Sequence, residues 1–167
     1  MPQRLNGLDI VVAEDDVQTR IFYRSILEAY GVGQIREAVN GLEAFATIGE
    51  ATPDMLLTDY GMSPLDGVEL TRLLRDRARS PAPFLPILMI TAYTGKERIR
   101  LARDAGVQEV LHKPVTPQSL VEHVARIRGN PLPYVQTRNY FGPDRRRAAW
   151  RLAGPERRSP TLSTYDR

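Results

Sequence analysis

At 167 residues, 42% of them hydrophobic and 26% charged, the chain has the size and composition of one soluble domain with room for a tail. No apolar run approaches the ~18 residues of a membrane helix, no signal-peptide pattern opens the sequence, and a cytoplasmic address is expected. The absence of cysteine excludes disulfides, thiolate catalysis and cysteine–zinc sites.

The net charge of +3 averages two unlike parts. Residues 1–128 hold 15 Lys and Arg against 17 Asp and Glu, whereas residues 129–167 hold 8 Arg against 3 acids. The basic character belongs to the tail, so it does not indicate a nucleic-acid-binding fold.

Leu8-Asp-Ile-Val-Val-Ala13 reads as a β-branched strand of the kind buried on both faces, and it runs into Glu14-Asp15-Asp16. Apolar residues then recur at helical spacing from Val17 to Tyr30 (Ile21, Phe22, Ile26, Leu27), with Gly31 as a stop. Residues 34–39 give a weaker strand, and residues 42–48 a helix with Leu42, Phe45 and Ile48 on one side.

The central stretch begins at Asp54. Met55 to Leu57 is a short apolar run leading to Asp59, followed by a turn of Gly, Ser and Pro and a helix from Asp66 to Arg77. Phe84 to Ile90 is the most hydrophobic strand and ends in Thr91-Ala92; a helix over 95–105 stops at Gly106. Residues 108–111 form a fifth strand before His112-Lys113-Pro114, and Thr116-Pro117 opens a last helix to about residue 128.

Five strands alternating with five helices predict an α/β fold: a parallel sheet covered on both faces, with flavodoxin-like order 2-1-3-4-5 as the natural candidate. Ligands in such sheets are handled past the carboxyl ends of the strands. Glu14, Asp15, Asp59, Thr91 and Lys113 all fall there. Three carboxylates repel unless a cation joins them, and oxygen donors without His or Cys suit a hard ion such as Mg²⁺. Lys113 can offset remaining charge and hold an incoming anion, to which Thr91 can donate, while small Ala92 leaves backbone N–H groups accessible. Together these residues equip the edge for in-line phosphoryl transfer to a carboxylate.

On Val-Val-Ala-Glu14-Asp15-Asp16, Asp59 with Asp66-Gly67, Ile90-Thr91-Ala92 and His112-Lys113-Pro114, residues 5–128 resemble a receiver domain of bacterial two-component signalling. The resemblance implies that Asp59 is the phosphoacceptor and that Glu14, Asp15, Asp59 and the Gly61 carbonyl bind Mg²⁺. It further implies that Thr91, Lys113 and the Ala92 backbone contact the phosphoryl group, and that the Lys113–Pro114 bond is cis. A histidine kinase or phosphotransfer protein would be the donor. A downstream protein would read the face of helix four, strand five and helix five; the chain itself would do no more than dephosphorylate weakly.

Two departures stand out. Met62-Ser63-Pro64 carries its proline one place late, and Val110 stands where an aromatic switch residue is usual. Tyr93, two residues after Thr91, is placed to shade the site or to be an exposed loop residue.

Rival readings of the same residues are weaker. A dehalogenase-type phosphatase needs a second Asp where Gly61 stands. A dinucleotide fold needs glycines where Glu14-Asp15-Asp16 stands. His112 and His123 have no spaced metal-binding partner.

Beyond residue 128 both periodicities vanish. The segment 129–167 is a Pro-, Gly- and Arg-rich tail without a domain of its own, in which Gly142-Pro-Asp-Arg-Arg146 is echoed by Gly154-Pro-Glu-Arg-Arg158. Either it is linker-like, or its aromatic residues dock on the receiver or on a partner protein. The alternative function is a phosphorylation-independent adaptor working through this tail; acids among its arginines make nucleic acid the third choice.

Overall fold

The computed structural model describes residues 5–146, together with the backbone of a short strand at 163–165. Five parallel strands form the centre: β1 (Asp9–Ala13), β2 (Gln34–Ala38), β3 (Met55–Asp59), β4 (Ile87–Thr91) and β5 (Glu109–His112). Their order is β2-β1-β3-β4-β5, as the alternation predicts. Five helices connect and follow them: α1 (Val17–Ala29), α2 (Gly41–Glu50), α3 (Gly67–Arg75), α4 (Lys96–Ala105) and α5 (Pro117–Gly129). Among the described residues, no helix is long and apolar enough to cross a membrane.

The period of two along β1 divides the core. Val11 and Ala13 face one apolar cluster with Ile48, Leu70, Leu74 and Ala102, from α2, α3 and α4. Ile10 and Val12 face the other, with Tyr23, Leu27, Leu120 and Val124 from α1 and α5. Both faces of the sheet are thereby closed, and every residue of β3 and β4 is buried.

Local sequence sets the helix starts. Asp16, Asn40, Asp66 and Thr116 each accept a backbone N–H three residues on, and Asp66 with Glu69 completes a capping box. Asp66 thus fixes where α3 begins and how far the loop after Asp59 extends. The Lys113–Pro114 bond is cis as expected, and Ser63–Pro64 is cis as well.

Some expectations fail at the edges. The apolar run 84–90 is not one strand: β4 starts at Ile87, and Phe84 lies before it in a loop. Ile21, Phe22 and Leu42, which belong to the apolar patterns of their helices, are 52%, 41% and 54% exposed. Arg75, on the outer pattern of its helix, is buried and donates to the carbonyls of Pro83, Leu85 and Gly106.

The tail carries structure that its composition hides. β6 (Tyr134–Gln136) and β7 (Phe141–Pro143) form an antiparallel pair, and β8 (Ser163–Tyr165) lies along the other side of β6. Tyr134 is buried; its hydroxyl lies 3.2 Å from the Leu85 carbonyl and 3.3 Å from Gln108 Oε1. Its ring packs with Phe84 and Phe141 at centroid distances of 5.2 and 5.8 Å. Arg145 donates to the carbonyls of Val107 and Arg103 at the end of α4. The hairpin therefore docks on the chain's own α/β unit, below the amino ends of β4 and β5.

Candidate functional site

The other end of the sheet gathers the chemistry. β1 ends at Ala13, so Glu14 and Asp15 leave its carboxyl end; Asp59 closes β3, Thr91 closes β4, and Lys113 follows β5. Carboxylate oxygens of Glu14, Asp15 and Asp59 lie within 4.8 Å of one another. Lys113 Nζ stands 3.0 Å from Asp59 Oδ1 and 3.2 Å from Glu14 Oε2. Four of the sequence-selected side chains thus meet.

Burial differs sharply within the group. Glu14 is 1% exposed and Asp59 8%, while Asp15 faces solvent. Burial pushes the Glu14 carboxyl above its ordinary range, and the Asp59 charge pushes it further; the Asp16 N–H and Lys113 pull back. Burial works against the Lys113 charge too, but its hydrogen bond to Asp59 and the charges of Asp59 and Glu14 outweigh that and strengthen its hold on its proton. Two inner carboxylates share one ammonium, so the pocket carries excess negative charge. A hard divalent cation would relieve it, and the all-oxygen donor set fits Mg²⁺.

Asp59 is oriented from two directions: its Oδ2 accepts the Gly61 N–H at 3.0 Å while Lys113 pairs with Oδ1. Thr91 is buried on the strand beside Asp59, and its hydroxyl oxygen accepts the Tyr93 N–H at 2.9 Å. Ala92 is exposed in the loop before α4. The Lys113 N–H reaches back to the Thr91 carbonyl at 2.8 Å, tying the ends of β4 and β5 together. His112 is exposed, and His123 packs against the Ser119 carbonyl and Glu109; neither joins the acidic group.

Residues that the sequence reading missed surround this core. Tyr23 is buried on α1, and its hydroxyl pKa is pushed up to about 12, first by burial, with the Lys113, Glu14 and Asp59 charges acting on it. Tyr60 packs edge-on against Tyr93 at 5.1 Å, and the Arg98 guanidinium lies 3.7 Å from the Tyr93 ring centroid. Tyr60 directly follows Asp59 at the end of β3, whereas Arg98 carries no strand-end signal and only the docking of α4 brings it here. Beside the same edge, Val17, Ile21 and Phe22 of α1 and Val39 and Leu42 near α2 form a set of exposed apolar side chains.

Comparisons with known proteins agree with this geometry. The family described as the response regulator receiver domain matches residues 10–125. Chemotaxis protein CheY1 of Helicobacter pylori is 31% identical over 123 residues, 73% of this chain and 98% of that protein. Chemotaxis protein CheY-3 of Vibrio cholerae is 31% identical over 72% of this chain and 92% of its own. A putative response regulator from Chloroflexus aurantiacus superposes with a TM-score of 0.68 at 29% identity, covering 74% of this chain and 98% of that one. Crystalline CheY4 of Vibrio cholerae gives 0.66 at 26% identity, over 72% of this chain and 98% of its own. The shared fold, the matched residues and the acidic pocket with its lysine have one common meaning: this chain belongs to the response regulator receiver domain family.

Proposed function

We propose that the chain is a single-domain response regulator, phosphorylated on Asp59 and signalling through protein–protein contact. The observation that carries this reading is the Lys113 ammonium seated between Asp59 and Glu14, at 3.0 and 3.2 Å. It pairs directly with the carboxylate that acts as nucleophile and remains in place to meet the incoming phosphoryl charge. An Asp59 oxygen attacks phosphorus; the P–O bond forms as the P–N bond to the donor imidazole breaks, and the imidazole departs. Thr91, whose oxygen already accepts from Tyr93, has its hydroxyl proton free to donate to a phosphoryl oxygen. Glu14, Asp15, Asp59 and the Gly61 carbonyl would hold Mg²⁺, which when bound neutralises charge on the phosphoryl oxygens.

The donor is read as a histidine kinase or phosphotransfer protein. The exposed apolar side chains of Ile21, Phe22 and Leu42 beside the pocket suit the approach of such a protein. The added charge of roughly −1.5 to −2 then acts on Thr91 and on the face of α4, β5 and α5. The chain's own catalysis amounts to slow hydrolysis of the acyl phosphate, and the cytoplasm is the compartment of such donors.

Radiolabelled acetyl phosphate with Mg²⁺ tests the reading. Wild type should take up label and Asp59→Asn should take up none; label persisting in the variant moves the acceptor elsewhere. The docked hairpin favours one rival, an adaptor that binds partners through its tail regardless of phosphorylation. Equal capture of one partner with and without an aspartyl-phosphate mimic would decide for the adaptor.

A further inference from the structure

The loops that lead into β3 and β4 enclose an open groove of about 310 Å³. Pro53, Pro81, Pro83 and Phe84 give it an apolar lining, to which Thr52 and Asp54 add a hydroxyl and a carboxylate. It sits where the two strands start, at the far end from Asp59 and Thr91. The tail hairpin adjoins it. Phe84 packs against Tyr134 and Phe141 at ring-centroid distances of 5.2 and 5.3 Å, and the Tyr134 hydroxyl lies 3.2 Å from the Leu85 carbonyl.

Asp54 is exposed, and its Oδ2 accepts the Asp9 N–H at 2.8 Å; among the described residues no arginine or lysine pairs with it. The chain itself carries a complement. It leaves the hairpin at Arg146 and returns to it at Ser163, which pairs with Gln136 of β6. The span between begins and ends at this edge of the molecule. Its one apolar stretch is Arg147-Ala-Ala-Trp150-Arg151-Leu152-Ala153, with an arginine on each side of the tryptophan. At ~3.4 Å per residue, the Trp150 Cα lies within about 14 Å of the Arg146 Cα.

We propose that Trp150 of the chain's own tail seats in this groove, with its ring against Pro81, Pro83 and Phe84 and with Arg147 and Arg151 turned toward Asp54. An indole removes about 150–250 Å² from water when it is buried, and the groove has room for one. The buried N–H then needs an acceptor, which the Thr52 hydroxyl and the Asp54 carboxylate offer. An aromatic residue of another protein, or of a second copy, would meet the same lining. The tether decides between them. A residue held so close meets the groove at an effective concentration in the millimolar range, which a free partner has to match. The seated tryptophan makes the tail a second layer under the sheet, from Tyr134 to Trp150. It also withdraws Trp150 from the residues through which a tail-borne adaptor would hold a partner.

Trp150 is the only tryptophan of the chain, so its fluorescence reports its seat directly. In the full-length protein its emission should lie to the blue of that of a free peptide of residues 147–153. Acrylamide should quench it about threefold less efficiently than the peptide. Nuclear Overhauser effects should join the indole to the Phe84 ring and to Pro83. Thr52→Arg, at an exposed position, sets a cation against Arg147 and Arg151 and should move the emission toward that of the peptide. Phe84→Ala should do the same by removing the aromatic part of the lining; if it fails to fold, Thr52→Arg decides alone. Indole contacts to other residues, or an emission that Thr52→Arg leaves unchanged, would overturn the proposal. Emission as red as the peptide's would overturn it and leave the groove to a partner protein. Emission that reddens on dilution, with indole contacts between differently labelled copies, would overturn it in favour of a second copy as the occupant.

Discussion

The two edges of the parallel sheet both bury charge and resolve it differently. At the carboxyl edge, Glu14 and Asp59 are nearly inaccessible, share the single ammonium of Lys113, and stay in mutual repulsion. At the amino edge, Arg75 is as deeply buried, but the carbonyls of Pro83, Leu85 and Gly106 accept from it and the Tyr134 ring lies 5.1 Å from its guanidinium carbon. Arg145 of the tail is likewise met by the carbonyl of Val107. One edge leaves its charge for an ion or phosphoryl group to complete; the other satisfies it with the protein's own backbone. The difference separates the chemical pole of the molecule from its structural one.

Glycine substitutions at the two poles break the comparison most directly. A Cβ on Gly67 would stand 2.2 Å from the Asp59 carbonyl oxygen, and neither backbone can yield without moving Asp59. Gly67→Ala should cost about 3 kcal/mol or prevent folding, read as a fall in the urea midpoint. A Cβ on Gly142 would stand 2.5 Å from the Tyr140 hydroxyl, the far end of a side chain that can swing, and 3.2 Å from the Gly106 Cα. Gly142→Ala should cost about 1 kcal/mol and leave label uptake unchanged. Equal losses at the two sites would mean that the tail is built into the fold as rigidly as the acidic loop.

The same contrast explains what could be read from the sequence. The pair Glu14 and Asp15, Asp59, Thr91 and Lys113 advertise themselves because each stands within two residues of the end of an apolar run, and topology alone brings strand ends together. Tail docking has no such signature. Phe84 belongs to an apolar run that carries no period to show where the strand begins, and its ring partners, Tyr134 and Phe141, lie in three-residue strands too short to display alternation. Arg75 looks like any outer-face helical arginine until its carbonyl acceptors are known. The exposed Ile21 and Phe22 mislead in the opposite sense: helical spacing marks an apolar stripe but not how much of it the core has room to cover.

A smaller effect tests whether the carboxyl edge is electrostatically strained. The Glu14 carboxyl is held above its ordinary 4.5, chiefly by burial. Between that value and its raised folded one, the folded chain keeps a proton that the unfolded chain has released. Stability therefore falls as pH rises through this window, and the loss is complete above it. Without metal, Glu14→Gln should be more stable than wild type at neutral pH, an advantage that disappears as the pH falls below 4.5. It should also gain less from added Mg²⁺. Greater stability of wild type in EDTA at neutral pH would show that the Glu14–Lys113 pair outweighs the repulsion, removing the asymmetry between the poles.

The smallest effect concerns the cover over Asp59. A methyl group on Gly61 would stand 3.4 Å from the Tyr93 hydroxyl and 3.7 Å from Asp59 Oδ2, so the tyrosine overhangs the loop beside the Asp59 carboxylate. Arg98 stacks on that ring and Tyr60 meets its edge, which holds the tyrosine in place although it is 40% exposed. Hydrolysis needs a water in line with the departing Asp59 oxygen, and a tyrosine in that position restricts its approach. Tyr93→Ala should speed loss of label from phosphorylated protein about threefold while changing stability by less than about 0.5 kcal/mol. Tyr140→Ala, the matching change at the tail pole, should leave the decay rate as it was. Were both substitutions to quicken decay alike, the hydrolysis rate would be reporting general loosening of the fold, and Tyr93 would be no more than a loop residue stacked on Arg98.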